Sequence, residues 1–203
     1  MNKIKTIVVG FFLTWVLPLS LFARSVIPAQ AYQYRARLIR EAHANWGLDA
    51  PIPILAGQIE QESGWRTDAK SGVGALGICQ FMPGTADWMN RLYHLGGAAP
   101  LDPGWAIRAL VLYDYRLFLD SGKIGFRPFQ EQMAAALSGY NGGEGWLTKD
   151  ITLTRQRSSC NVSLWFGCVE RYSLRTGQIF KENRGYPRSI ILEKAPKYGL
   201  DWQ

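Results

Sequence analysis

Apolar residues recur at helical spacing along most of this chain. In "AYQYRARLIREAHANWG", residues 31–47, Tyr34, Leu38, Ile39 and Ala42 share one face, and Gly47 supplies a stop. "PIPILAGQIEQES", residues 51–63, opens with prolines, whose missing N–H has no helical partner in a first turn, and continues as a short helix. "SGVGALGICQFMPG", residues 71–84, holds too many glycines for a helix and predicts an extended or hairpin-like segment. "TADWMNRLYHLG", residues 85–96, predicts a helix capped by Thr85. "DPGWAIRALVLYDYRLFLD", residues 102–120, is a long helix opened by Asp102 and Pro103, with Ile107, Leu110, Val111, Tyr115 and Phe118 on its stripe. "FQEQMAAALSGYNGG", residues 129–143, predicts a helix that breaks at Gly139.

Residues 149–169 are polar and then aromatic, and predict a loop excursion. A last pair of helices follows, around "CVERYSLRTGQIFKEN" and "PRSIILEKAPKYG", with Pro187 starting the second. No internal repeat and no sustained period-two run interrupts this pattern. The fold class is therefore mainly α, with at most a small β hairpin near residues 71–80.

The first 31 residues follow a different rule. Lys3 and Lys5 precede an apolar run from Ile7 to Phe22, and "PAQA" closes it. A basic start, an apolar centre and a small-x-small end describe a secretory signal, with cleavage expected after Ala31 and a second possible cut after Ala23. The alternative is an uncleaved inner-membrane anchor, but Pro18 interrupts a run already short of the ~20 apolar residues a span needs. The localisation this predicts is the periplasm.

Composition narrows the picture further. At 203 residues, with 47% hydrophobic and 19% charged content, the chain suits one globular domain. Eight Trp, nine Tyr and nine Phe are many for this length; most read as core pieces, and aromatic faces also line sugar clefts. Residues 1–31 carry Lys3, Lys5 and Arg24 and no acid, so 23 basic residues less three leave 20 against 16 acids, a net of +4. No Arg/Lys stripe accompanies that charge, so nucleic acid is not an expected partner. His43 and His94 stand alone and no cysteine has ligand spacing with either, so no metal and no cofactor are expected. Cys160 and Cys168 flank "NVSLWFG" and are a disulfide candidate in an oxidising compartment, whereas Cys79 sits in the apolar "GICQF" and reads as a buried residue.

Candidate chemistry centres on "ILAGQIEQESGW", residues 54–65. On a helix, Ile52, Leu55 and Ile59 form one stripe, which Glu62 continues and Glu60 does not. Glu60 is thus expected to face solvent. Glu62 is expected at the C-terminal end of a buried face, where burial and the helix dipole both raise a carboxyl pKa. A carboxylic acid kept protonated near neutral pH is what a general acid requires. A structural carboxylate paired with Arg66 is the plainer alternative. The two glutamates are not partners, because positions two apart on a helix point nearly opposite ways. No second acid for a two-carboxylate glycosidase stands nearby.

These residues resemble a known family. "ESGW" followed by "GVGALGICQFMPGTA", then "ALSGYNGGEGW" and "ENRGYPRSII", is similar to the ordered signature blocks of the soluble lytic transglycosylases of glycoside hydrolase family 23. The likeness runs from about Ile52 to Leu192 and implies a goose-type lysozyme-like fold, with a catalytic domain over residues 32–203 and an excursion at 149–169. It implies cleavage of the MurNAc-β-1,4-GlcNAc bond of peptidoglycan without water, leaving 1,6-anhydro ends, with Glu62 as the single general acid/base. It further implies that Tyr140 orients the catalytic carboxyl and that Ser63, Gln80, Met82, Asn141, Glu182 and Tyr186 meet the glycan. Peptidoglycan strands are the implied partner, and a secretion, conjugation or other envelope-spanning complex stays open. Cys79 stands where Met is usual, and Ser138-Gly139 replace a small apolar pair, which bears on subsite shape. A hydrolytic muramidase on the same scaffold and a catalytically idle wall-binding subunit are the alternatives.

Overall fold

The computed structural model describes residues 26–199 and Trp202. The predicted leader therefore lies outside the described residues up to Ser25. Seven α-helices follow: α1 (Ala31–Trp46), α2 (Ile52–Ser63), α3 (Pro83–Tyr93), α4 (Pro103–Ile124), α5 (Phe129–Gly142), α6 (Glu144–Arg157) and α7 (Gly177–Arg188). A 3-10 turn, Val169–Arg171, precedes α7. A π-helical turn, Ser189–Lys194, and a second 3-10 turn, Ala195–Tyr198, close the chain behind it. Among the described residues the β content is two isolated bridges, Lys70 to Leu76 and Leu76 to Phe81. No helix among them is long and apolar enough to cross a membrane.

The helix ends follow local chemistry. Gly47 caps α1 at φ 81°. Asp102 caps α4 by accepting the Trp105 amide at 2.6 Å, satisfying a donor that the first turn leaves without a partner. Thr85, expected as a cap, lies instead inside α3, which begins at Pro83 after an extended Met82. The expected break at Gly139 does not occur: α5 continues to Gly142, because Gly139 is fully covered and packing outweighs its weak helix propensity. Pro187 does not start a new helix either. It sits in the last turn of α7, and the backbone widens into the π turn directly after it, where the proline can donate no bond.

Two apolar cores result. One joins α1, α2, α3 and α4 through Leu38, Leu55, Ile59, Met89, Ile107 and Leu110. The other joins α5, α6 and the C-terminal turns through Met133, Leu137, Leu147, Trp165, Tyr186 and Ile190. Tyr140 packs against both, so the seam between the cores runs past its ring.

The segment read as a loop excursion is largely structured. Residues 149–157 belong to α6, and the rest folds back onto α5. There Trp165 is fully buried, and the amides of Trp165 and Phe166 both donate to the Glu131 carboxylate at 2.8 Å. A disulfide joins Cys160 to Cys168. Asp150 of α6 is completely buried and accepts from Arg175 at 2.5 Å and from Arg184 of α7 at 2.7 Å. The pattern was missed because the apolar stripe of α6 is interrupted by this buried carboxylate, whose partners lie 25 and 34 residues away.

Glu60 also departs from expectation. It does not point to solvent but accepts from Lys197 and from the Tyr198 hydroxyl, each at 2.6 Å. The same hydroxyl accepts from the Trp65 indole at 2.8 Å. Trp65 holds a left-handed φ of 68°, unusual for a bulky residue, and is kept there by burial against Tyr34, Tyr198 and Trp202. Removing the Glu60 carboxylate strands Lys197 and Tyr198 together. Glu60→Ala is therefore expected to lower unfolding free energy by about 1–3 kcal/mol in denaturant titration, the cost of leaving buried donors unpaired.

Candidate active site

Helix α2 ends in the sequence Gln61-Glu62-Ser63, and its last turn forms the floor of a cleft of about 600 Å³. Six parts of the chain line that cleft, Thr85 of α3 among them. Gln61 and Glu62 come from α2, and Ser71, Val73, Ala75, Gln80, Phe81 and Met82 from the glycine-rich segment. Tyr113 comes from α4, Tyr140 and Asn141 from α5, and Glu182, Gly185, Tyr186 and Ser189 from α7 and the turn after it.

The glycine-rich segment forms one wall because it is folded tightly on itself. Leu76 and Phe81 exchange backbone bonds at 3.0 Å in both directions, around a turn in which Gln80 takes φ 50°. The Gln80 amide donates to the carbonyls of Gly77 at 2.8 Å and Ala69 at 3.2 Å, so it braces the wall that it lines. Gly77 is required here: its φ is +74°, and a Cβ would lie 1.9 Å from the Pro100 carbonyl oxygen. Beyond it, Met82 and Val73 place exposed apolar surface on the rim.

Tyr186 and Glu182 reach the opposite side from α7, four residues apart and so on one helix face. Tyr186 is buried, and its hydroxyl donates to Glu62 Oε1. This bond carries the site's main assignment. The resemblance had placed Tyr140 in that role, but the Tyr140 hydroxyl donates at 2.9 Å to the backbone carbonyl of Cys79. Tyr140 thereby ties α5 to the glycine-rich wall and presents its ring beside Glu62. Arg66, the alternative partner of Glu62, instead donates back to the Ser63 carbonyl at 3.0 Å.

The environment decides the protonation of Glu62. Loss of hydration pushes its pKa from 4.5 up to about 8, the Tyr186 bond pulls it down, and the nearby Glu182 carboxylate pushes it up. Burial likewise raises the hydroxyl pKa of Tyr186 and of Tyr140, so both stay protonated donors. Tyr113, at the edge of the cleft, is pushed up to about 12, again mainly by burial. The cleft thus offers a neutral carboxylic acid among aromatic hydroxyls, with Glu182 as an exposed carboxylate on its rim.

Most of the residues expected at the site converge on this cleft: Glu62, Gln80, Met82, Tyr140, Asn141, Glu182 and Tyr186 all line it. Ser63 does not. Its side chain is buried and donates to the Ile78 carbonyl at 2.8 Å, which locks the end of α2 to the glycine-rich wall. Asn141 is held by Asn183 at 3.0 Å, and Asn183 also pairs with Ser138 of α5. Gly142 makes room for this contact, since a Cβ there would meet Arg175 at 2.2 Å and Asn183 at 2.6 Å.

Sequence reading missed Gln61, Ser71 and Tyr113 as lining residues. The signal for Tyr113 was present, because it stands three residues after the buried Leu110 on α4. Ser71 lies in a segment without periodicity and gave none.

Known proteins give likenesses of two kinds, one to a family and one to solved structures. The family described as Transglycosylase SLT domain matches residues 37–162 of the chain. That range ends before α7, so the place of Tyr186 rests on the geometry above. Among solved structures, the lytic transglycosylase Slt of Pseudomonas aeruginosa, crystallised as an inactive glutamate-to-glutamine mutant, is similar at 26% identity and a TM-score of 0.57. The match covers 83% of this chain and 24% of that one, so the chain spans about a quarter of the length of that relative.

The raised pKa of Glu62 has a consequence for stability. Its folded pKa of about 8 lies above the 4.5 of an ordinary glutamate. Between those two values the unfolded chain has released a proton that the folded chain retains. Rising pH therefore favours unfolding across this window, and the stability associated with the proton is fully lost above about pH 8. Glu62→Gln removes this dependence. Its unfolding free energy is expected to fall less than that of the wild type between pH 4.5 and about 8, by on the order of 5 kcal/mol, measured by denaturation at a series of pH values.

Proposed function

The chain belongs to the transglycosylase SLT domain family, and on that footing we propose that it is an exported lytic transglycosylase that cleaves the MurNAc-β-1,4-GlcNAc bond of peptidoglycan. The observation that carries this reading is the protonated Glu62 at the cleft floor, held by Tyr186.

One carboxyl serves both half-reactions. Glu62 first gives its proton to the glycosidic oxygen as the bond from that oxygen to the muramyl anomeric carbon breaks. The substrate's acetamido oxygen stabilises the electron-poor carbon, which is the substrate-assisted exception to the two-carboxylate rule. Glu62, now a carboxylate, takes the proton of the muramyl 6-hydroxyl, whose oxygen closes on the anomeric carbon to give the 1,6-anhydro end. Tyr186 donates to the carboxylate in the middle of this cycle and keeps it aimed. Glu182 holds Glu62 protonated by its charge and meets the glycan at the rim. The inactive glutamate-to-glutamine mutant of the Pseudomonas enzyme supports giving the chemistry to a single carboxyl.

The leader directs the protein to the periplasm. Of the two cuts, the one after Ala23 keeps the whole of α1, whose first residue, Ala31, is completely buried. A muramidase that uses water is the second reading, because Glu62 could equally activate a water molecule.

Product mass separates the two. Digestion of purified peptidoglycan is expected to give fragments one water lighter than hydrolysis products and without a reducing end; reducing ends alone would leave the muramidase. Glu62→Gln is expected to lose at least about 10²-fold in rate with its fold intact by circular dichroism. Activity of the wild type should decline above about pH 8, where Glu62 loses its proton. In Tyr186→Phe that decline should move to higher pH, because the bond that lowers the Glu62 pKa is gone, while the rate below it drops.

A further inference from the structure

A second carboxyl lies beneath the cleft and the chemistry above does not use it. Asp114 of α4 is completely buried. Gln58, also completely buried, donates from Nε2 to Asp114 Oδ1 at 3.3 Å. The other halves of both groups, Asp114 Oδ2 and Gln58 Oε1, are buried and have no hydrogen-bond partner among the described residues. Both are acceptors if Asp114 is a carboxylate, so neither can satisfy the other. One proton on Oδ2 removes the conflict. It turns Oδ2 into a donor facing an amide group that is already joined to it and still has a free acceptor.

The surroundings agree. The groups that face Asp114 are Gln58 and Glu62 from α2, Cys79 from the glycine-rich wall, Tyr113 from its own helix, Tyr140 from α5 and Tyr186 from α7. None is a cation. A buried carboxylate without a cation is costly enough that such a group neutralises instead. Burial pushes the Asp114 pKa well above the usual carboxylate range, against the pull of the Gln58 bond, and the Glu62 charge adds to the rise.

We propose that Asp114 is a positioning residue that keeps a permanent proton and closes a two-hydrogen-bond pair with Gln58 directly beneath Glu62. Gln58 stands one turn before Glu62 on the same face of α2. The pair therefore clamps α2 to α4 under the turn that carries the catalytic carboxyl. Because the clamp is neutral, it adds no second negative charge to the ground below Glu62, and the Glu62 titration is left to burial, Tyr186 and Glu182. The inference takes from the proposed function only that Glu62 is the acid, and its test uses no peptidoglycan.

The test is a carboxyl ¹³C NMR titration of the protein labelled at Asp and Glu side chains, in wild type, Asp114→Asn and Gln58→Leu. The Asp114 signal, assigned by its loss in Asp114→Asn, is expected at the protonated position at neutral pH. Asparagine can make both bonds to Gln58, so Asp114→Asn should leave the Glu62 midpoint and the melting temperature where they are. Gln58→Leu strands the Asp114 hydroxyl and loosens the clamp. It should lower the Glu62 midpoint by about one pH unit as water reaches the turn. An ionised Asp114 signal at neutral pH overturns the proposal. So does a fall of the Glu62 midpoint in Asp114→Asn, which would mean that a negative charge had been removed. An unmoved Glu62 midpoint in Gln58→Leu would deny the positioning role. Gln58→Met replaces Gln58→Leu if the latter does not fold.

Discussion

The rest of the structure depends on how the last turn and a half of α2 is held. Six consecutive residues, Gln58 to Ser63, include five polar side chains, and each is tied to a different partner. Gln58 meets Asp114 on α4, Glu60 meets Lys197 and Tyr198, and Gln61 accepts from Ser189 after α7. Glu62 accepts from Tyr186 of α7, and Ser63 donates to Ile78 in the glycine-rich wall. A helix end tied to so many partners cannot tilt or slide without breaking several of these bonds at once. That is what fixes a carboxyl to within the tolerance that proton transfer to a bound sugar demands.

The price in stability of burying Glu62 is also what suits it to the proposed role of general acid. Water would keep the carboxyl ionised at neutral pH, and a carboxylate cannot donate. The seam between the two apolar cores removes enough water to hold the proton to about pH 8. Tyr186 then offsets part of that rise, so the group stays near the point where it can both give and take a proton. A cation in place of Tyr186 would lower the pKa further and abolish the acid. Aromatic hydroxyls are the suitable partners because they donate without charge and remain protonated when buried.

Helix α7 needs comparable fixing, since it supplies both Tyr186 and Glu182. Its inner face is polar, with Asn183 bound to α5 and Arg184 bound to Asp150 of α6 and to the Glu170 carbonyl. Arg175 completes the charge balance around Asp150. The segment between α5 and α7 is therefore a buttress. It carries a buried ion network and a disulfide-closed loop that hold α7, and these keep the tyrosine whose hydroxyl bonds Glu62 in register with α2.

The sequence by itself determined most of the helical elements, though not α6, together with the phase of Glu62 and the blocks that form the cleft. These are local properties: periodicity fixes which residues share a face, and caps such as Asp102 act within one turn. It also located Tyr186, but as a wall residue and not as the donor to Glu62. Local pattern could not say what covers a helix on its other sides. That is why Glu60 was read as solvated, when Tyr198 lies against it, and why Ser63 was given to the glycan, when Ile78 takes its hydroxyl. The exchange of roles between Tyr140 and Tyr186, and the Gln58–Asp114 pair, were decided only by the tertiary structure. A hydroxyl or an amide has no preferred partner in sequence, and its bond goes to whichever acceptor the packing of distant helices brings within reach.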